Sequence, residues 1–238
     1  MNIIMRKYIY GLMMCIVALA FTGCEETSQD NSVITYYVTM ELNGDEVVQV
    51  PLGSTFVDEG VVATEGSDDV SSSVTVDNPV NSNQLGVYTV TYSAINKDGF
   101  PSSITRTVVV YDPADENNEN IEGTYYVATG SFRNYKGTIT QYAGYTVNII
   151  QQAPGIYYVS DYMGGWYEQR AGYGSNYAMQ GYLKQNADNT LDIISGDVAG
   201  WGDSYDAFEN GVYDPATGTI SWSVQYASVI IFNVILSK

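Results

Sequence analysis

The 238-residue sequence predicts an all-β protein in two parts: an N-terminal β-sandwich, then a C-terminal domain of roughly eight antiparallel strands forming a barrel or a curved sandwich. Three observations carry this. No stretch repeats apolar residues at helical spacing. Short runs alternate instead, as Tyr88, Val90, Tyr92 and Ala94 do against Thr89, Thr91 and Ser93, and a period of two places one set on each face of a strand. Turn residues such as Asn43-Gly44 and Lys97-Asp98-Gly99 separate the runs.

The chain opens with Arg6-Lys7, an apolar run from Tyr8 to Phe21, then Thr22, Gly23 and Cys24. A short basic segment, a brief apolar stretch and a small residue before the cut describe a secretory signal, too short to span a bilayer. Gly23-Cys24 resembles the lipobox of bacterial lipoproteins, which implies removal of residues 1–23 and lipidation of Cys24. Residues 24–32 then form a polar tether. Its acidic start, Glu25-Glu26, resembles the export signal of surface-displayed Bacteroidetes lipoproteins, implying an outer-membrane protein, lipid-anchored and facing outward. Cys15 lies in the leader, so the exported chain holds no disulfide and depends on its core.

Residues 33–112 contain strand-like runs at Val33 to Leu42, Glu46 to Val50, Val70 to Val76, Val87 to Ala94 and Ile104 to Tyr111. Such spacing suits a sandwich. The polar, aperiodic segment 113–120 reads as a linker. Beyond it, residues 121–238 hold all three tryptophans and fifteen of the 22 tyrosines. Runs at Gly123 to Phe132, Tyr142 to Gln151, Gly155 to Ser160, Tyr177 to Lys184, Leu191 to Asp197, Ala207 to Tyr213, Thr219 to Tyr226 and Val229 to Leu236 are bounded by turns such as Asp214-Pro215. In the penultimate run, Ile220, Trp222, Val224 and Tyr226 oppose Ser221, Ser223 and Gln225, so Trp222 is expected in the core.

Gly53, Phe56, Asp58, Gly60, Gly86, Tyr88, Val90, Tyr92, Arg106, Val108 and Val110 match the pattern of the bacterial immunoglobulin-like module of surface lipoproteins. The resemblance implies a spacer domain, with Tyr88 placed as a tyrosine corner whose hydroxyl bonds back to the main chain. The stretch beginning Ile121-Glu122-Gly123-Thr124-Tyr125 has the opening seen in lipocalin-like barrels. As a whole the chain resembles Bacteroidetes lipoproteins that join such a module to an aromatic β-domain, accessory to starch-utilisation-type systems. That implies a glycan or an outer-membrane transporter complex as partner.

Arg6 and Lys7 belong to the leader, so seven basic residues face 27 acidic ones in the rest, a formal charge of −20. Such a chain repels phosphate backbones and anionic lipid, leaving nucleic acid a poor partner and the lipid anchor the only membrane contact. Without histidine there is no Ser-His-Asp triad, and no cysteine remains for thiol catalysis. An enzyme would need paired carboxylates, with Asp161 and Glu168, or Asp203 with Asp206 or Glu209, as candidates. Asp58-Glu59, Asp68-Asp69 and Asp203 with Asp206 offer calcium ligands without the spacing of a known loop. A non-enzyme with neither cofactor nor metal is the expectation.

Sugar binding fits better, because apolar sugar faces lie flat on aromatic rings while rim hydroxyls need polar partners. Candidate ligand-binding residues are Trp166, Tyr167, Tyr173 and Tyr177, in a glycine-rich stretch read as a mobile loop, and Trp201, Asp203 and Tyr205. The expected function is non-catalytic glycan binding or capture at the cell surface. The alternatives are a structural subunit docking another outer-membrane protein and a barrel holding a small ligand.

Overall fold

The computed structural model describes residues 34–115 and 119–238. The expected leader, the lipidation site at Cys24 and the tether lie outside the described residues.

The first part holds β1 (Val38–Leu42), β2 (Val47–Pro51), β3 (Val61–Glu65), β4 (Asp68–Asp69), β5 (Thr75–Asp77), β6 (Gly86–Ile95) and β7 (Pro101–Tyr111). They form two sheets, ordered β1-β3-β4 and β2-β7-β6-β5. Val38, Met40, Ala63, Val90, Tyr92, Val108 and Val110 fill the space between them, the inward set that alternation assigns. Strands β6 and β7 pair in full from Gly86↔Val110 to Ile95↔Pro101, and β2 runs parallel to β7. Tyr88 donates its hydroxyl to the Gln84 carbonyl at 2.9 Å, the expected corner. Tyr88→Phe is therefore expected to lower stability by about 1 kcal/mol, the usual net worth of one such bond, in urea unfolding.

Arg106 is buried at the end of this sandwich, where its guanidinium binds Asp58 and the Asn43 carbonyl and its Nε donates to the Asp45 carbonyl at 3.1 Å. The Tyr92 hydroxyl also donates to Asp58. Asp58, a calcium candidate by sequence, is thus spent on neutralising a buried cation. Among the described residues, no three Asp, Glu or Cys side chains converge as metal ligands.

The second part holds β8 (Gly123–Val127), β9 (Phe132–Tyr135), β10 (Thr138–Gln141), β11 (Thr146–Ala153), β12 (Ile156–Val159), β13 (Gln180–Gln185), β14 (Leu191–Val198), β15 (Asp203–Ser204), β16 (Ala207–Asp214), β17 (Thr219–Tyr226) and β18 (Ile230–Ser237). They make one antiparallel, eleven-stranded sheet that curls on itself. Strand β17 buries Ile220, Trp222, Val224 and Tyr226 as the alternation requires, and the Trp222 indole donates to the Tyr162 carbonyl at 2.8 Å. The tyrosine pair at 125–126 also splits, with Tyr125 buried and Tyr126 exposed.

The closed, lipocalin-like barrel does not form; the sheet is the curved-sandwich alternative. Between β14 and β16 a single isolated bridge, Thr190↔Val212, replaces a ladder. At the same place β16 shifts register against β17, its other neighbour, between Glu209 and Val212, and Asn210 there has φ 57°. Such a bulge removes ladder bonds from that stretch. The β9–β10 hairpin, unforeseen in the sequence, arises because the expected strand from Gly123 to Phe132 breaks at Gly130, φ 98°. Strand β18 pairs with β9 over Ile230–Asn233 and with β8 only at Leu236 and Ser237.

Residues 37–238 form one compact unit. Val109 packs with Ala153 and Ile156, and the Gln49 amide donates to the Gln152 carbonyl at 2.8 Å, so the sandwich rests directly on the β11–β12 turn.

Candidate functional site

The segment between β12 and β13 supplies most of the predicted site residues, and it is anchored near its start. Asp161 is fully buried, and its carboxylate accepts the backbone N–H groups of Met163 (2.8 Å), Gly165 (2.8 Å) and Met179 (3.1 Å). One side chain therefore ties both ends of the excursion together. Gly164 and Gly165 follow with φ of 62° and 76°, a left-handed pair that L side chains resist. A Cβ on Gly165 would also sit 2.7 Å from Cβ of Tyr145. The chain then takes a π-helical turn over Trp166–Arg170, where the Arg170 N–H reaches the Gly165 carbonyl at 2.9 Å. Such turns are rare and concentrate at functional sites.

This corrects two expectations. The stretch read as a mobile loop is core from Asp161 to Trp166, and it is exposed only over residues 169–176. Trp166, a predicted sugar platform, is 7% exposed and meets Tyr142 edge-on at 5.0 Å and Phe232 at 6.0 Å. The π-turn rotates that ring inward, so it offers no face to a ligand.

The other aromatics converge. In the β14–β15 connection the Val198 carbonyl accepts the N–H groups of Trp201 and Gly202. Gly200 lets this turn touch the neighbouring loop: its N–H bonds the Asn176 carbonyl at 2.6 Å, and a Cβ there would lie 2.7 Å from the Tyr177 ring. Tyr173, Tyr177 and Trp201 consequently line a concavity of about 270 Å³. Tyr177 and Trp201 lie 4.9 Å apart at 64°, Tyr173 and Tyr177 5.5 Å at 73°, so the rings form a corner of edge-to-face pairs. Tyr167, half-buried, supports it from beneath at 4.8 Å from Trp201 and 6.2 Å from Tyr173. Trp201 is 42% and Tyr173 56% exposed.

Asp203 borders the corner and accepts the Tyr226 hydroxyl on both oxygens at 2.8 Å. Burial and that carboxylate together hold the Tyr226 phenol well above the usual range. Tyr226 was not foreseen here; it lies 6.0 Å from Trp201, and strand alternation marks it only as inward-facing. Tyr205 packs half-buried against the core beside Gly196, outside the concavity. The acid pairs fare differently. Asp161 is consumed by three backbone donors, away from solvent, and Asp206 accepts the Ser228 N–H. The carboxylates at these positions serve the fold and the corner's edge.

Comparison with known proteins follows the same division. A family model for a C-terminal domain matches residues 113–238, more than half the chain, and one described as a bacterial surface protein, Ig-like domain, matches residues 40–110. A lipoprotein of Bacteroides thetaiotaomicron, BT2262, is 43% identical in its crystal structure, over 85% of this chain and 100% of that one, with a TM-score of 0.49. The chain belongs to this lipoprotein family. Two structures from Clostridium perfringens ZmpB also match. The first, of CBM51-2 with GlcNAc and INT domains, is 17% identical over 51% of this chain and 29% of its own, TM-score 0.28. The second, of the M60 catalytic domain with two CBM51 domains, is 17% identical over 53% and 14%, TM-score 0.30. At those scores they bear on neither fold nor site. No curated protein matches. For this lipoprotein family member the Ig-like match covers the sandwich, while the aromatic corner falls wholly within the C-terminal match.

Proposed function

We propose that this protein is a non-catalytic lipoprotein, anchored through Cys24 at the outer surface of the outer membrane, that captures glycan at the Tyr173–Tyr177–Trp201 corner. The tether at 24–32 and the immunoglobulin-like domain at 33–112 act as the spacer, and the C-terminal domain at 121–238 acts as the binding module beside an uptake complex. The carrying observation is the exposed three-ring concavity. Exposed rings cost hydration unless a partner covers them, and the Gly200 contact holds these three in place at the expense of any side chain there. The concavity is slightly below the roughly 300–1,000 Å³ of enclosing small-molecule pockets, which suits stacking against part of a chain. Tyr167 and Asp203 complete the proposed site as support and rim acceptor, and Tyr205 buttresses the neighbouring strand.

The test is affinity for polysaccharides. A glycan array on the intact protein identifies a ligand, and Trp201→Ala weakens it at least tenfold while the melting temperature moves by less than about 2 °C, because a partly exposed ring contributes little core burial. If no glycan binds, or if Trp201→Ala binds like the parent, the reading fails.

A further inference from the structure

On the other side of Tyr167 and Phe232 lies a second feature that the corner does not use. The guanidinium of Arg170 sits 4.1 Å over the Trp166 ring, and that of Arg133, from β9, sits 5.2 Å from the same ring. The two guanidinium carbons are thus no farther apart than about 9 Å, the two distances end to end. Lys136 stands 5.4 Å over the Tyr135 ring, against which Arg133 also packs at 4.9 Å. Three cations therefore gather around the Trp166 and Tyr135 rings in a chain whose formal charge is −18.

Among the described residues none of the three has a carboxylate within salt-bridge distance. The ion pairs found are Arg106 with Asp58 and Lys97 with Glu65. With 27 acidic residues in the chain, a carboxylate partner is easily supplied by sequence; here the guanidiniums are held by aromatic faces instead. Arg170 is exposed and Arg133 half-buried, and a guanidinium can receive an oxyanion by two parallel bonds. Arg133 adds an independent sign: its Nε is buried and has no hydrogen-bond partner among the described residues. Buried donors are satisfied in nearly all structures, by protein groups or by ordered water.

The patch adjoins the corner. Phe232 lies 6.0 Å from both Trp166 and Tyr167, and Tyr167 lies 4.8 Å from Trp201. We propose that Arg133 and Arg170 form an oxyanion subsite that takes the carboxylate of a uronic acid residue in a glycan whose neutral part rests on the aromatic corner. This rests on the glycan reading above and narrows it. The chain's net charge repels dense polyanions, so a sparsely acidic glycan, one charge among several neutral rings, is the class that fits.

The test uses the intact protein and two oligosaccharides, a xylo-oligosaccharide carrying one glucuronate and the same oligosaccharide without it, together with free glucuronate and sodium sulfate. The acidic oligosaccharide is expected to bind at least tenfold tighter by calorimetry, and Arg170→Gln, an exposed position, brings the affinity ratio to about one. Free glucuronate shifts the Arg133 Nε–Hε resonance in the NMR spectrum. Equal affinities in the parent, or a ratio that survives Arg170→Gln, overturn the subsite while leaving glycan capture standing. If neither oligosaccharide binds but glucuronate still shifts the Arg133 resonance, and Arg170→Gln abolishes that shift, the subsite stands and the corner reading falls. A shift with sulfate and none with glucuronate overturns the uronate assignment.

Discussion

Trp166→Ala is expected to destabilise the C-terminal domain by about 3–5 kcal/mol, the cost of deleting a large aromatic from a packed core. The ring meets Tyr142 and Phe232, lies against two guanidiniums and is 7% exposed, so its removal leaves a cavity among packed neighbours. The measurement is the urea midpoint. Set beside Trp201→Ala, which loses affinity at nearly unchanged stability, it separates two tryptophans that both sit beside glycines. A Trp166→Ala protein as stable as the parent contradicts the core placement.

A larger effect is expected at Asp161. Removing its carboxylate with Asp161→Ala orphans three buried N–H groups at once, each costing about 1–3 kcal/mol. The excursion carrying Tyr167 and Tyr173 then loses its tie, so glycan affinity falls with stability. The pH dependence gives a finer test. Burial pushes the Asp161 pKa up to about 7, opposed by the N–H groups of Met163, Met179 and Gly165, with the Glu168 charge adding a smaller push upward. In the unfolded chain the group titrates near its ordinary value of about 3.9. Between those two values unfolding releases a proton, so this group's contribution to stability falls as pH rises from about 4 through about 7 and is level above. Asp161→Asn abolishes that contribution. The stability difference between parent and Asp161→Asn, measured by urea at pH 4.5 and 7.5, is therefore expected to favour the parent more at the lower pH. A difference independent of pH shows that burial does not control this carboxyl.

Strand positions were largely legible, because a half-buried strand writes itself as alternation. Val90 and Tyr92 on β6, and Trp222 and Val224 on β17, face inward as their spacing demands. The β9–β10 hairpin was not legible: Phe132–Tyr135 and Thr138–Gln141 are four-residue strands, too short to show a period; they pair with each other, and β9 alone joins the hairpin to β18. The open seam at β14 and β16 was equally hidden, since a bulge at Asn210-Gly211 resembles any polar turn until its partner strand is known.

The corner was half legible. Aromatic-glycine clusters at 160–178 and 200–205 named the right neighbourhoods, but they gave Trp166 and Trp201 the same appearance. Composition alone determined that this chain carries no histidine chemistry and a strongly acidic surface, and period-2 alternation determined that it is built of strands with an apolar core. Which aromatic faces solvent was decided only in three dimensions. The π-turn after Gly165 turns Trp166 into the sheet, while the contact of Gly200 with Asn176 and Tyr177 pins Trp201 at the rim. Both outcomes depend on groups distant in sequence, Asp161 with Met179 and Asn176 with Gly200, and local spacing carries no record of which distant backbone a loop will meet.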